Sequence, residues 1–355
     1  MIRFNKKISD PKGDNLNLIR LILAMAVVFS HAYAITQGRR NDEPLAQWAH
    51  GVTFGGIAVY SFFFISGFLI TGSWQRSKSF IDYAIKRVLR IYPGYIAAMM
   101  FSAILIWVTC PEFKNGVIHD GNTGGWLLQV GRDALLLKSE SISDISAWAK
   151  NPIPGLTNAP LWTIPIEFIC YLAVLAAGLF GILRNRIFVL VLAVLGYEYL
   201  IMITRPATGT YDPLYICFLF GVLAWLWKDK IPYSSHIAII SMLALILTSH
   251  FRQCFVITFP LAGGYCLLWL AYVPQLPLAK WASTTDLSYG TYLYACPIQQ
   301  LLATNAALRH PWMNFVLTIP VTFLLAWLSW TFLEKPCLSL KRRYAGPTPL
   351  SPVKA

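Results

Sequence analysis

Acidic residues are scarce in this chain. Only 16 Asp and Glu stand among 355 residues, and charged side chains of both signs make up 13%. With 56% hydrophobic residues and a mean hydropathy of +0.55, that poverty of charge excludes an ordinary water-soluble domain. No C-x-x-C or zinc-type pairing occurs among the seven cysteines (Cys110, Cys170, Cys217, Cys254, Cys266, Cys296 and Cys337). Most lie within apolar runs and read as buried packing residues without disulfides. The chain also lacks a Walker loop, a dinucleotide fingerprint, a metal-spacing cluster, a low-complexity tract and an internal repeat. No metal or nucleotide-hydrolysing centre is therefore expected.

What the chain does have is apolar runs, ten of them, at about 18–36, 52–72, 91–110, 161–179, 187–203, 213–228, 236–250, 253–272, 287–305 and 312–333. Several come near the ~20 residues that carry a helix across a ~30 Å hydrocarbon core. The expected fold class is all-α, a polytopic integral membrane bundle of about ten transmembrane helices. Lys and Arg outnumber acids 29 to 16, a net charge of +13. Because these charges sit between apolar runs, they speak for membrane orientation and not for nucleic acid. With the N-terminus in the cytoplasm, 20 of the 29 fall on the cytoplasmic side, so both termini are expected inside. Lys6, Lys7 and Lys12 ahead of a run ending Ala32-Tyr33-Ala34 give the look of a signal peptide. Arg20 and His31 within that run, and the spans that follow, favour a retained first helix. Residues 1–340 read as a single transmembrane domain and 341–355 as a basic cytoplasmic tail. The outer loop, about 111–160, is near neutral and is the natural surface for an extracytoplasmic partner.

The first run organises the rest. Arg20 opens it and His31 follows eleven residues later, on the same helical face and roughly 16 Å deeper. An ionisable group at that depth is costly and marks function, the alternative being a histidine hydrogen-bonded for packing. In the second run, Gly55, Gly56 and Gly67 permit close helix approach. Ser66 either bonds back to its own helix or supports a site. Arg87 and Arg90 share a face of a basic amphipathic segment ending at Pro93. Two guanidinium forks suit phosphate; plain anchoring to anionic lipid is the competing reading. Glu167 lies one turn inside the fourth run after Trp162, Thr163 and Pro165. Its carboxylate forms either a structural salt bridge or a partner that fixes the His31 tautomer. Trp126 and Trp148 in the outer loop either stack on a sugar or anchor at the interface.

Together these stretches resemble the membrane acyltransferase-3 family, the O-acetyltransferases of bacterial surface glycans and some secreted small molecules. The resemblance covers about residues 15 to 336. It rests on Arg20 and His31, on the Phe-Phe-x-x-Ser-Gly-Phe block closing at Phe68, and on Arg87-x-x-Arg90-Ile-Tyr-Pro93. Leu161-Trp-Thr-x-x-x-Glu167, Ser288-Tyr-Gly-x-Tyr-Leu293 and Glu334-Lys-Pro336 complete it. The resemblance implies an acyl-CoA donor, usually acetyl-CoA, bound from the cytoplasm. It also implies a hydroxyl acceptor on a polysaccharide or lipid-linked saccharide at the other face. Arg20, Arg87 and Arg90 would hold the donor's phosphates, His31 would be catalytic and Glu167 would support it. Ser66, Gly67, Trp162 and Thr163 would have structural or substrate-supporting roles. His31 could act as general base or carry the acyl group; the sequence leaves both open. A bacterial inner membrane, polysaccharide-assembly partners and the stand-alone form without an esterase-like domain are further implications.

Two positions depart from the family pattern. Ala295 stands where relatives often carry histidine, so no second histidine is required there, and Thr163 replaces a common serine but keeps a hydroxyl. Two other readings compete with the enzyme. One is a proton-coupled transporter with His31, Glu167 and Glu198 as relay. The other is a membrane scaffold whose ionisable groups only pair structurally.

Overall fold

Each of the ten apolar runs winds into a helix. The computed structural model describes residues 3–4, 8, 14–39, 42–110, 123–143, 147–154, 156–203 and 212–344. The helices are α1 (Leu16–Gln37), α2 (Phe54–Gln75), α3 (Phe80–Thr109), α4 (Thr163–Leu179), α5 (Arg186–Ile203), α6 (Asp212–Leu226), α7 (Ser235–Ser249), α8 (Arg252–Ala271), α9 (Ser288–Ala303) and α10 (Pro311–Ser329). By length and apolar composition six segments can cross a membrane: α1, α2, α3, α8, the stretch Ala159–Leu179 containing α4, and Pro311–Leu340 containing α10. The others are shorter or less apolar, and α9 shows why a short helix belongs in the bundle. Its 16 residues are almost all buried, packed between α1, α3 and α10. A helix buried on every side is a core helix, wherever its ends fall.

Pro297 stands inside α9 and cannot donate to the Leu293 carbonyl. The Asn158 side-chain amide donates to that carbonyl instead, at 2.9 Å, and to Ser102 Oγ at 3.2 Å. One asparagine thus repairs the proline and ties the loop before α4 to α3 and α9. On the other flank of α9, Gln299 Nε2 donates to Val28 O of α1 at 2.8 Å, and Asn314 Nδ2 of α10 donates to Gln299 O at 3.0 Å. Amide side chains hold the register of the central helix where lipid offers no alternative partner.

Small residues set the second seam. A Cβ at Gly67 would lie 2.0 Å from Phe218 O, and one at Gly221 would lie 2.1 Å from Phe64 O. The backbones of α2 and α6 therefore touch at reciprocal glycines, a close approach that only glycine allows. Of the two roles expected for Gly67, the structural one fits this geometry.

The structure departs from the sequence reading at several places. The basic segment before Pro93 is the first part of α3 itself, a 30-residue helix capped by Ser79, whose Oγ accepts from the Asp82 N–H at 3.1 Å. Trp126 and Trp148 are buried, donating Nε1 to Ser141 O at 2.9 Å and to Thr109 Oγ1 at 3.1 Å. Neither offers a ring face to a sugar. Cys254 is exposed on its helix, whereas Cys110, Cys170, Cys217, Cys266 and Cys296 are buried. A helix over Lys335–Tyr344 crosses the expected boundary at 340. The tail beyond it, and the part of the outer loop holding Glu112, Asp120 and Asp144, lie outside the described residues.

The glycine seam makes a sharp contrast. Gly67→Ala forces backbone apart and is expected to cost about 1–3 kcal/mol. Gly131→Ala, with no heavy atom within 4 Å of its added Cβ, gains up to about 1 kcal/mol of helix propensity. Thermal unfolding of the two purified variants in one detergent should move in opposite directions.

Candidate active site

At one end of the bundle three arginines gather around aromatic rings and one aspartate. Asp286, in the turn before α9, has one carboxylate oxygen 3.2 Å from Arg20 Nη1 of α1 and 2.6 Å from Arg90 Nη2 of α3. Its other oxygen accepts from Ser288 Oγ at 2.6 Å and from the Ser288 N–H at 3.2 Å. Burial pushes the Asp286 carboxyl up, but the Arg90 and Arg20 charges and the serine hydrogen bond outweigh it and hold the group well below the usual carboxylate range. A single anion therefore clamps the N-terminal turns of α1 and α9 to α3. Arg90 also stacks over Tyr289, its guanidinium carbon 5.5 Å from the ring centre.

Arg87 points elsewhere. Its guanidinium lies between the rings of Tyr83 and Tyr171, at 5.8 and 5.7 Å, and Nη2 reaches Ser73 Oγ at 3.3 Å. Its Nε is buried with no hydrogen-bond partner among the described residues. Arg87 and Arg90 thus stand in separate niches and do not present paired forks. Glu334 closes the region from a π-helical turn over Trp330–Glu334; it is buried, accepts from Ser329 Oγ at 2.9 Å and adds a negative charge beside Arg90.

Above the arginines is a small cavity of about 50 Å³, lined among others by Arg20, Ser66, Thr163, Glu167, Tyr289 and Tyr292. Ser66 does not bond back to its helix, as Ser61, Thr71 and Ser102 do to the carbonyls four residues earlier. It donates to Glu167 Oε1 at 2.8 Å, and Tyr171 OH donates to the same oxygen. Glu167 therefore fixes Tyr171, whose ring covers Arg87. The sequence reading coupled Glu167 to His31; the hydrogen bonds couple it to the arginine end.

His31 lines a second, larger chamber of about 400 Å³, with Ser30, Tyr60, Trp162, Arg252 and Tyr292. That volume lies in the ~300–1,000 Å³ range of small-molecule sites. Trp162 ends the 3-10 turn Ala159–Trp162 that precedes α4, and it stays partly exposed on the chamber. Val59 and Tyr292 line both cavities, so the two meet end to end. The wall between them includes a hydrogen bond of 2.8 Å linking Tyr292 OH and Thr163 Oγ1. Thr163 donates its own proton to Pro160 O at 3.0 Å, so Tyr292 is the donor of the pair. Ala295, the position of the missing histidine, is buried in α9.

Asp286, Tyr171 and Arg252 were not singled out by sequence, and Tyr292 entered only as part of the Ser288–Leu293 block. Asp286 had a signal: in a chain this poor in acid, one adjoining a polar helix start is conspicuous. Tyr171 had a weaker one, four residues after Glu167 and so on its face.

A family model described as an acyltransferase domain, the acyltransferase-3 type, matches residues 14–331. The chain belongs to this family. The O-acetyl transferase of Shigella phage Sf6 is 26% identical over 341 residues, covering 92% of this chain and 97% of its own. Nodulation protein 10 of Rhizobium leguminosarum bv. viciae is 27% identical over 357 residues, covering 92% and 94%. The acyltransferase MdmB of Streptomyces mycarofaciens is 28% identical over 161 residues, covering 44% and 37%. No solved structure matches. This acyltransferase is thus a multi-pass membrane enzyme that esterifies hydroxyl groups, which sets aside the transporter and scaffold readings.

The clamp gives the acyltransferase a testable weak point. Asp286→Asn leaves Arg20 and Arg90 without the carboxylate that bridges them, and is expected to destabilise the protein by about 3–5 kcal/mol. Because the Asp286 carboxyl is held low, its contribution is fully present above the unfolded carboxylate range and is lost only as pH falls below it. Wild type minus Asp286→Asn, followed by thermal unfolding from pH 5 to 8, should give a large and flat difference.

Proposed function

We propose that this enzyme moves an acyl group, acetyl in the simplest case, from acyl-CoA to a hydroxyl of a carbohydrate at the opposite membrane face. The observation that carries the reading is the pair of cavities meeting at Tyr292, with arginines below one and His31 in the other. The excess of Lys and Arg on the arginine side supports a cytoplasmic position for that end, where CoA is found. Arg87 is the best-placed group for a donor phosphate, since its buried Nε lacks a partner and its charge is not neutralised by Asp286. Arg20 and Arg90 contribute what the clamp leaves them. The lower cavity holds only a water or two, so the pantetheine arm enters by displacing the Tyr292–Thr163 contact.

In the upper chamber one ring nitrogen of His31 takes the proton of the acceptor hydroxyl as its oxygen attacks the thioester carbonyl. The C–S bond breaks, the CoA thiolate leaves, and the imidazolium returns the proton to sulfur. The products are an ester and free CoA. Glu167 and Ser66 act beneath this step by holding Tyr171 over Arg87; they are positioning residues. The acceptor is a polysaccharide unit or lipid-linked saccharide, and the membrane is a bacterial inner membrane.

Transfer of labelled acetyl from acetyl-CoA to membrane glycans, compared in one strain, tests the reading. His31→Ala at normal abundance should lower transfer by about 10²–10⁴-fold, the contribution of a general base. Unchanged transfer would remove His31 from the mechanism.

A further inference from the structure

The larger chamber contains a cation that the acyl-transfer step does not use. Arg252, the first residue of α8, lines the chamber beside His31, Trp162 and Tyr60. It also lines an adjoining cavity of about 50 Å³ with Gly51, Thr53 and Tyr60, so it sits where the two spaces join. Several described arginines at other helix ends have partners on the chain. Arg20 and Arg90 share Asp286, Arg186 pairs with Asp229 at 2.9 Å, and Arg309 donates to Ala303 O and Lys150 O. Arg252, an exposed side chain on the rim of the chamber, has no ion pair and no side-chain hydrogen bond among the described residues.

The chamber's own chemistry sharpens the point. No Asp or Glu is among its described lining residues, while His31 and Arg252 both are. The nearby acid, Glu43, is fully buried and turned to the Phe54 N–H at the start of α2. Burial pushes the Glu43 carboxyl up, against the hydrogen bonds from Ser30 and Phe54, which weakens it further as a counter-ion. A polar chamber with an uncompensated guanidinium at its junction attracts an oxyanion, bound through charge-assisted and often bidentate hydrogen bonds.

We propose that Arg252 is a specificity-determining residue that selects an acceptor carrying an anionic group, a sugar carboxylate or a phosphate, close to the hydroxyl that is acylated. In this arrangement Trp162 takes the apolar face of the sugar ring, Arg252 takes the oxyanion and His31 takes the hydroxyl proton. The proposal rests on the transferase reading above and narrows its acceptor class.

The test uses the full chain in proteoliposomes with labelled acetyl-CoA and three acceptors: methyl glucoside, methyl glucuronide and glucose 1-phosphate. Wild type is expected to acylate an anionic acceptor with kcat/KM about tenfold or more above the neutral one, the scale of one hydrogen bond between charged groups. The glucuronide and phosphate arms tell which oxyanion is taken. Arg252→Gln should raise the acceptor KM about tenfold and abolish the preference, with the KM for acetyl-CoA unmoved, and Arg252→Lys should retain part of it. Equal use of neutral and anionic acceptors by wild type, or an unchanged preference in Arg252→Gln, overturns the assignment while leaving the transferase intact. Label on no acceptor at all overturns the transferase reading and this one with it.

Discussion

One carboxylate, that of Asp286, holds the arginine end of this protein together. It takes Arg20 from the first helix and Arg90 from the third, and through Ser288 it starts the helix that runs through the middle of the bundle. Removing two cations and an anion from water is costly, and the attraction repays it only when geometry and extra hydrogen bonds are good. Here both conditions are met. The consequence reaches the chemistry: the same helix carries Tyr289 against Arg90 and, one turn on, Tyr292 between the two cavities. The electrostatic clamp and the wall between the two cavities are parts of one helix.

A second chain of contacts runs from Glu167. In lipid an unpaired carboxylate would be expensive, and Glu167 is satisfied by Ser66 and Tyr171. Tyr171 then covers Arg87, whose other face meets Tyr83, itself anchored by donating to Tyr171 O at 2.9 Å. Arg87 is therefore held by aromatic faces and keeps its charge available. Arg20 and Arg90 spend theirs largely on structure. Three arginines that look equivalent in sequence divide into one without an ion pair, held between aromatic rings, and two clamped by Asp286.

Helical periodicity and apolar length made the architecture legible: every one of the ten runs became a helix, and the family likeness followed from short blocks in order. The partners of those blocks were less legible, because they lie far away in sequence. Asp286 is 266 residues from Arg20, and no spacing rule links them. Ser66 and Glu167, 101 apart, could each be flagged, but that they bond to each other could not. Trp126 and Trp148 misled because composition says where tryptophans concentrate, not whether their rings are covered. Arg252 was counted as one of a minority of basic residues on the outer side and nothing more; only the shape of the chamber gives it a role.

The central claim is that donor and acceptor meet from opposite faces, the acyl group passing the wall at Tyr292. The most direct measurement is a sidedness assay in sealed vesicles of known orientation. Labelled acetyl-CoA is supplied only on the arginine side and a membrane-impermeant acceptor only on the other. The account predicts labelled ester on the far side and free CoA retained on the near side. Ester formed only when donor and acceptor share one compartment would contradict it.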